Sequence, residues 1–177
     1  RAAPRAATVD SPGARGAAAR GGTGDASMEH GMVDPGTVDS GTRDVLDALY
    51  RRWLFEVWAG DLAAAEEILA PGFAGHWPNL EVRGPAEAAE QVRRSHAYFT
   101  GVRTALDAGP VIGPDPDQDR GRRRPGDGMV AAGWTFSGAY RGGLPGATAE
   151  PGTEVSFRGH DVFRARDGRF TEYWGVS

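Results

Sequence analysis

The spacing of apolar residues separates a polar leading segment from a folded part. Residues 1–43 contain no Leu, Ile, Phe, Trp or Tyr and are rich in Ala, Gly, Pro and Arg. Such a segment buries too little apolar surface to offset the entropy lost on ordering. We therefore predict a disordered extension over residues 1–43 and one folded domain over 44–177, which is long enough for a single core.

Helical spacing of apolar residues dominates the first half of the folded part. A first helix, capped by Thr42, is predicted over about 42–59, with apolar residues on more than one side. A second is predicted over about 62–70 and a third over about 85–99, with Pro85 in its first turn. A short strand and turn carrying His76 lies between the second and third helices.

Strand-like alternation replaces the helical pattern after Gly101. The predicted strands cover about 102–112, 129–140, 153–166 and 169–177. Asp167-Gly168 predicts a tight hairpin turn between the last two strands. Gly159 marks a possible bulge or bend in the third of them.

Helices followed by strands predict an α+β fold. We expect a strongly curved antiparallel sheet, closed into a cone-shaped barrel by three N-terminal helices. The apolar interior of such a cone suits a small molecule. The sequence has no dinucleotide fingerprint, P-loop or GxSxG elbow in a strand–helix context.

The amino-acid composition excludes several kinds of binding and catalysis. The net charge of −4 disfavours binding to nucleic acid or to an anionic membrane, and no apolar run reaches membrane-spanning length. Cys is absent, which excludes disulfides, thiolate metal sites and thiolate nucleophiles. All 20 basic residues are Arg, so Schiff-base chemistry on lysine is excluded as well. We expect a cytoplasmic protein in which His, Asp, Glu, Tyr or water transfers protons.

One carboxylate stands out in the last strand. Period two places Phe170, Glu172 and Trp174 on one face, and the two large aromatic residues suggest that this face is interior. Desolvation there would raise the pKa of Glu172 toward a useful acid/base range. The alternative is a structural ion pair between Glu172 and an inward arginine such as Arg164.

Two histidines and a second carboxylate are further candidates. In a regular strand His160 shares a face with Arg164, and a shift at Gly159 would exchange His160 with Asp161. His76 is either a pocket residue or a histidine at the rim. Two histidines and a carboxylate could in principle hold a metal ion, but no HxH or HExxH spacing supports one, so we expect no metal.

Aromatic residues recur at spacings typical of a core, and a subset could instead stack against a planar substrate. The candidates for substrate binding are Trp53, Trp77, Phe99, Trp134, Phe136 and Trp174.

Three segments resemble a known family: LYRRWLFEVWAGDLAAAEEILAPGFAGHWP, RGPAEAAEQVRR and FRGHDVFRARDGRFTEYWGVS. They resemble the SnoaL-like polyketide cyclases and ester cyclases of the nuclear-transport-factor-2-like superfamily. The resemblance implies a cone-like α+β barrel, often a homodimer through its sheet, and cofactor-free closure of a polyketide ring by intramolecular aldol condensation. It also implies pocket histidines, matched here by His76 and His160, and an acid/base aspartate in the last strand, where this chain has Glu172.

We therefore expect a cofactor-independent cyclase for a polyketide-like or polycyclic ketone, with His76, His160, Glu172 and Asp161 as candidate catalytic residues. An epoxide hydrolase of the same superfamily is one alternative, since Asp161 and Arg164 could contribute to an Asp–Arg–Asp set. A ketosteroid-isomerase-like enzyme and a non-catalytic ligand-binding or dimerisation module are the others.

Overall fold

The computed structural model of the protein describes residues 37–177. The predicted disordered extension therefore lies outside the described residues as far as residue 36, and its disorder stays a prediction. The first helix begins at Ser40, four residues before the predicted start of the folded domain at Asp44.

The helical segments are α1 (Ser40–Arg52), a π-helical turn (Trp53–Val57), α2 (Ala63–Ile68), α3 (Gly84–Ala97) and a 3₁₀ turn (Arg120–Arg122). The cap predicted at Thr42 is wrong. Asp39 caps α1, because its carboxylate accepts hydrogen bonds from the Thr42 backbone N–H at 2.9 Å and from the Thr42 hydroxyl at 2.7 Å. None of the helices within 37–177 is long and apolar enough to cross a membrane.

Six strands form one sheet: β1 (Leu69–Trp77), β2 (Leu80–Arg83), β3 (Phe99–Gly113), β4 (Gly128–Tyr140), β5 (Glu154–Arg166) and β6 (Arg169–Val176). Their order is β2-β1-β6-β5-β4-β3. The turn at Asp167-Gly168 is confirmed, with both residues at positive φ, 48° and 71°.

Two expectations about the sheet are corrected. It is mixed, because β1 runs parallel to β6 while the other neighbouring strands are antiparallel. β1 and β6 are distant in the sequence, so no hairpin forces them into opposite directions. The sheet is also open, with β2 and β3 at its edges, and α3 follows β1 and β2 instead of preceding all the strands.

The core lies between the helices and one face of the sheet, which we call the inner face; the opposite face is the outer face. Core residues with no exposed surface come from helices and strands alike and include Leu46, Tyr50, Trp53, Ile68, Val92, Phe163 and Phe170.

The two strands that carry most of the candidate residues differ in regularity. The pairing of β5 with β4 runs without a slip, so the shift considered at Gly159 does not occur. Asp161 is buried on the inner face, and His160 is exposed on the outer face.

In β6 the pairing with β5 slips, since Arg164 pairs with Glu172 while Ala165 pairs with Phe170. The extra residue, Thr171, forms a bulge that turns the rest of the strand over. The predicted shared face is therefore wrong: Phe170 lies inside, whereas Glu172 and Trp174 lie on the outer face.

Candidate functional site

A cavity of about 380 Å³ lies between the inner face of the sheet, the π-helical turn and α3. A pocket of this size suits a small organic molecule. Polar groups reach it from α3 through Gln91, Arg94 and Ser95, from β3 through Thr104, and from β5 through Asp161. Its walls are mainly aromatic: Trp58, Trp77, Tyr98, Phe99, Trp134, Phe136, Phe157 and Tyr173.

Asp161 is the only carboxylate side chain among the described lining residues, and it is 2% exposed. Its two oxygens have separate donors. The Tyr173 hydroxyl donates to Oδ1 at 2.9 Å, and the Tyr50 hydroxyl donates to Oδ2 at 3.1 Å. Burial raises the pKa of Asp161 to about 6, because an ion is poorly solvated there, and the surrounding donors offset part of that effect.

Two indole groups complete the surroundings of this carboxylate. The buried Nε1 atoms of Trp53 and Trp134 have no partner at hydrogen-bonding distance and angle among the described residues. Both groups favour the ionised form of Asp161 and so lower its pKa. Asp161 is thus surrounded by four neutral side chains, two tyrosines that donate a hydrogen bond to it and two buried indoles nearby. We call Tyr50, Trp53, Trp134 and Tyr173 the donor set.

The tyrosines of the donor set remain protonated. Burial, and next the negative charge of Asp161, raise the pKa of Tyr50 and Tyr173 well above their usual range. A phenol that keeps its proton acts as a donor to the carboxylate. The arrangement therefore has one group that titrates near neutral pH among neighbours that do not.

Local backbone features make room for the donor set. Tyr50 and Trp53 are three residues apart in the chain, so they face the same side at the end of α1. The strands leave space through glycines: a Cβ at Gly159 would collide with the Trp134 ring, and a Cβ at Gly175 would collide with the Tyr173 hydroxyl. Gly159 thus permits close approach of the indole, where the sequence suggested a bend.

Glu172 belongs to a different group on the outer face. Arg164 Nη1 donates to Glu172 Oε2 at 2.6 Å, and His76 Nε2 lies 3.1 Å from Glu172 Oε1. His76 Nδ1 is 2.8 Å from Glu81 Oε1, and this contact is the main cause that raises the pKa of His76. The expectation of an interior Glu172 is wrong, and the structural ion pair with Arg164, considered as the alternative, is present.

Arg164 extends this group to the loop after β3. Its guanidinium also contacts Asp117 at 2.6 Å and the fully buried Asp115 at 3.0 Å. Trp174 stacks on His76 with ring centroids 5.5 Å apart and lies under Arg164. We call the side chains that meet here the outer cluster: His76, Glu81, Asp115, Asp117, Arg164, Glu172 and Trp174.

The structure thus separates the predicted catalytic residues. Asp161 lines the main cavity, whereas His76, Glu172 and His160 have side chains on the outer face. His160 borders a shallow groove beside Val111, Ala131 and Val162.

The predicted substrate-binding aromatics also separate. Trp77, Phe99, Trp134 and Phe136 line the cavity. Trp53 is fully buried beside Asp161, and Trp174 is on the outer face.

Sequence reasoning missed two donors, Tyr50 and Tyr173. The available signal was weak: Tyr50 precedes Trp53 by one helical turn, and Tyr173 precedes a glycine by two residues in a strand. Within residues 37–177, no cluster of three His, Cys, Asp or Glu side chains is arranged to hold a metal ion.

The architecture is shared with solved structures of low sequence identity. A candidate polyketide cyclase from Xanthomonas campestris pv. campestris is 21% identical, with a TM-score of 0.59 over 77% of this chain and 92% of that one. TsrD from Streptomyces laurentii is 23% identical, with a TM-score of 0.58 over 78% and 90%. An LEH-like epoxide hydrolase from M. tuberculosis is 17% identical, with a TM-score of 0.50 over 75% and 77%. At these identities the likeness concerns the fold alone.

The sequence comparison is more specific. No curated protein sequence matches the chain. Residues 50–173 match the family model described as the SnoaL-like domain, which covers more than half of the chain. The protein therefore belongs to the SnoaL-like domain family.

Proposed function

We propose that this protein is a cofactor-independent cyclase that closes a ring in a polyketide-like ketone by intramolecular aldol condensation. The single observation that carries the proposal is the position of Asp161. Its carboxylate is buried in the wall of an aromatic cavity, has neutral hydrogen-bond donors, and has a pKa of about 6. A group with this pKa is available as a base at neutral pH and returns its proton readily.

Each step of the reaction follows from this one group. The Asp161 carboxylate removes a proton from a carbon next to a carbonyl, and the substrate's own carbonyl groups delocalise the resulting anion. That carbon attacks a second carbonyl of the same molecule, which forms the new C–C bond. The protonated Asp161 then delivers its proton to the alkoxide, and loss of water completes the condensation.

The remainder of the cavity contributes by positioning. Planar aromatic walls such as Trp58, Phe136 and Phe157 suit a flat, conjugated chain. If the walls hold the two reacting ends together, positioning lowers the barrier by several kcal/mol, within the range of about 7–11 kcal/mol for ideal intramolecular reactions. The side chains of His76, His160 and Glu172 do not line the cavity, so they take no part in these steps.

The geometry favours a cyclase over the hydrolase alternative. The epoxide hydrolases of the superfamily orient water with an Asp–Arg–Asp set. Asp161 instead accepts from two tyrosines, and the described lining holds no second carboxylate side chain. Arg164, the arginine considered for such a set, belongs to the outer cluster.

The test is to incubate the protein with a linear aromatic-polyketide precursor in D₂O. Ring closure and deuterium incorporation next to the carbonyls are followed by mass spectrometry. We expect the unaltered protein to accelerate both over the rate without protein and Asp161→Asn to lower this acceleration by about 10²–10⁴-fold, with Glu172→Gln as the matched control carboxylate. Equal rates for the unaltered protein and Asp161→Asn would refute the proposed mechanism.

We further propose that the protein forms a homodimer through the outer face of the sheet. An apolar patch there includes Val111, which is 69% exposed, together with Ala131 and Val162. Burial of such a patch against a second copy would remove apolar surface from water. Light scattering should give twice the monomer mass for the unaltered protein and the monomer mass for Val111→Asp.

A further inference from the structure

The Asp161 carboxylate is held from the helical side by a residue that the cavity does not reach. Tyr50 on α1 is fully buried and is absent from the cavity lining. Its hydroxyl donates to Asp161 Oδ2, while Tyr173 in the cavity wall donates to Oδ1. One donor on each oxygen, from two different elements, fixes the plane of the carboxylate.

We propose that Tyr50 is a positioning residue, which fixes the Asp161 carboxylate in the orientation that meets the cavity. What the carboxylate does for a substrate rests on the proposed function, but its position and its titration do not. The core holds the Tyr50 ring independently of its hydroxyl, since the ring packs edge-on against Phe163 with centroids 6.1 Å apart. Tyr50→Phe therefore keeps this packing and removes one hydrogen bond.

The backbone after Tyr50 supports the same conclusion. α1 continues into the π-helical turn. Such turns are rare in proteins, but those that occur are often found at functional sites. The turn carries Trp53 to Asp161 and places Leu54 in the cavity wall. The Leu54 carbonyl accepts a hydrogen bond from the Thr104 hydroxyl at 2.8 Å, which anchors this turn to β3. The end of α1 is thus organised around the buried carboxylate.

The groups that face Asp161 make its pKa sensitive to the loss of the Tyr50 hydrogen bond. Tyr50 from α1 and Tyr173 from β6 are the titratable groups that contact it. Arg94 on α3 lines the same cavity and is paired with Glu90. No described cation forms an ion pair with Asp161, so the loss of one neutral donor should shift its pKa directly.

The experiment is a ¹³C NMR titration of protein labelled in the aspartate carboxyl carbons, with Asp161 assigned through Asp161→Asn. We expect the Asp161 midpoint to rise by about one pH unit in Tyr50→Phe, because a hydrogen bond to the charged form is lost. The matched control is Tyr140→Phe, whose buried hydroxyl accepts from the Leu144 N–H instead. Identical midpoints in the unaltered protein and Tyr50→Phe would overturn the proposal.

A second variant keeps the test decisive if Tyr50→Phe does not fold. 3-Fluorotyrosine at position 50 has a more acidic phenol and donates more strongly, so the Asp161 midpoint should fall. A rise or no change would overturn the proposal.

Kinetics separate this inference from the proposed function. In an active protein, Tyr50→Phe should lower kcat about tenfold and leave KM nearly unchanged, since Tyr50 does not reach the cavity. If the unaltered protein turns over no ketone, the proposed function fails, and the NMR midpoints still decide the role of Tyr50.

Discussion

Asp161 and Glu172 are carboxylates on the adjacent strands β5 and β6, and they face opposite sides of the same sheet. The inner one is buried and bound by the hydroxyl groups of Tyr50 and Tyr173. The outer one is 26% exposed and bound by Arg164 and His76. Neutral donors solvate a carboxylate incompletely, so burial still raises the pKa of Asp161.

The hydrogen-bond and ion-pair partners of Asp161 and Glu172 determine which role each carboxylate can have. The donor set leaves Asp161 able to gain and lose a proton near neutral pH. The outer cluster instead ties the loop after β3 to the sheet, because Arg164 contacts Asp115 and Asp117 there as well as Glu172. Asp161 therefore has the surroundings that the proposed proton transfer needs, and Glu172 has those of an ion-pair network, although the two lie on neighbouring strands.

The largest expected difference between the two is in turnover. Asp161→Asn should lower ring closure by about 10²–10⁴-fold, which is the usual contribution of a positioned acid/base. Glu172→Gln should change it by less than about twofold, because the mutation affects the opposite face and leaves the mechanism of proton transfer intact. Steady-state rates of both variants check this, and a comparable loss in Glu172→Gln would erase the distinction.

The second difference is in how stability depends on pH. Because the folded-state pKa of Asp161 is raised from 3.8 to about 6, its contribution is present at pH values below 3.8 and is lost as the pH rises through 6. Relative to Asp161→Asn, the unaltered protein should lose about 3 kcal/mol of unfolding free energy between pH 3.5 and pH 7. Denaturant titrations of both proteins at several pH values measure this. A constant difference would contradict a raised pKa.

The third test removes the arginine of the outer cluster. Arg164→Ala removes the guanidinium partner of Glu172, which keeps only His76, and one of the two arginine partners of Asp115. It should therefore cost about 2–3 kcal/mol of unfolding free energy. Arg158→Ala is the matched control on the same strand and face. Its side chain is 82% exposed and 3.6 Å from Asp107, so the cost should be below about 0.5 kcal/mol. Equal costs from urea unfolding would mean that the cluster is not structural support.

The smallest effect concerns His76. Its carboxylate neighbours raise its pKa, so the stability it contributes is complete below its unfolded pKa of about 6.5 and is lost as the pH rises through the folded value. His76→Gln should cost less than about 1 kcal/mol at pH 5.5 and nothing measurable at pH 9. Thermal unfolding at the two pH values checks this. A larger cost at pH 9 than at pH 5.5 would contradict stabilisation by the protonated histidine.

Local features of the fold followed from local sequence. The Asp167-Gly168 turn needs residues that tolerate positive φ, and both adopt it. The predicted third helix at 85–99 differs from α3, Gly84–Ala97, by one or two residues at each end. In β5 the alternation ran without a slip, so the faces of His160 and Asp161 followed from a regular strand.

The same alternation predicts the wrong face of the sheet for Glu172. Period two predicts faces only along an uninterrupted strand, and the bulge at Thr171 interrupts β6. Thr171 donates its hydroxyl to the Arg164 carbonyl at 3.2 Å, so the bulge depends on contacts with β5 that the β6 segment alone does not contain.

The sequence by itself determined the helical and strand-rich halves, the tight final hairpin and the exclusion of cysteine and lysine chemistry, because these depend on neighbouring residues or on composition. Only the tertiary structure decided the parallel pairing of β1 with β6, the open sheet and the outward turn of Glu172. It also brought Tyr50, Trp53, Trp134 and Tyr173 from three separate segments to one carboxylate. Contacts across more than 100 residues, such as that between Tyr50 and Asp161, are set by packing of the whole domain and leave no local pattern.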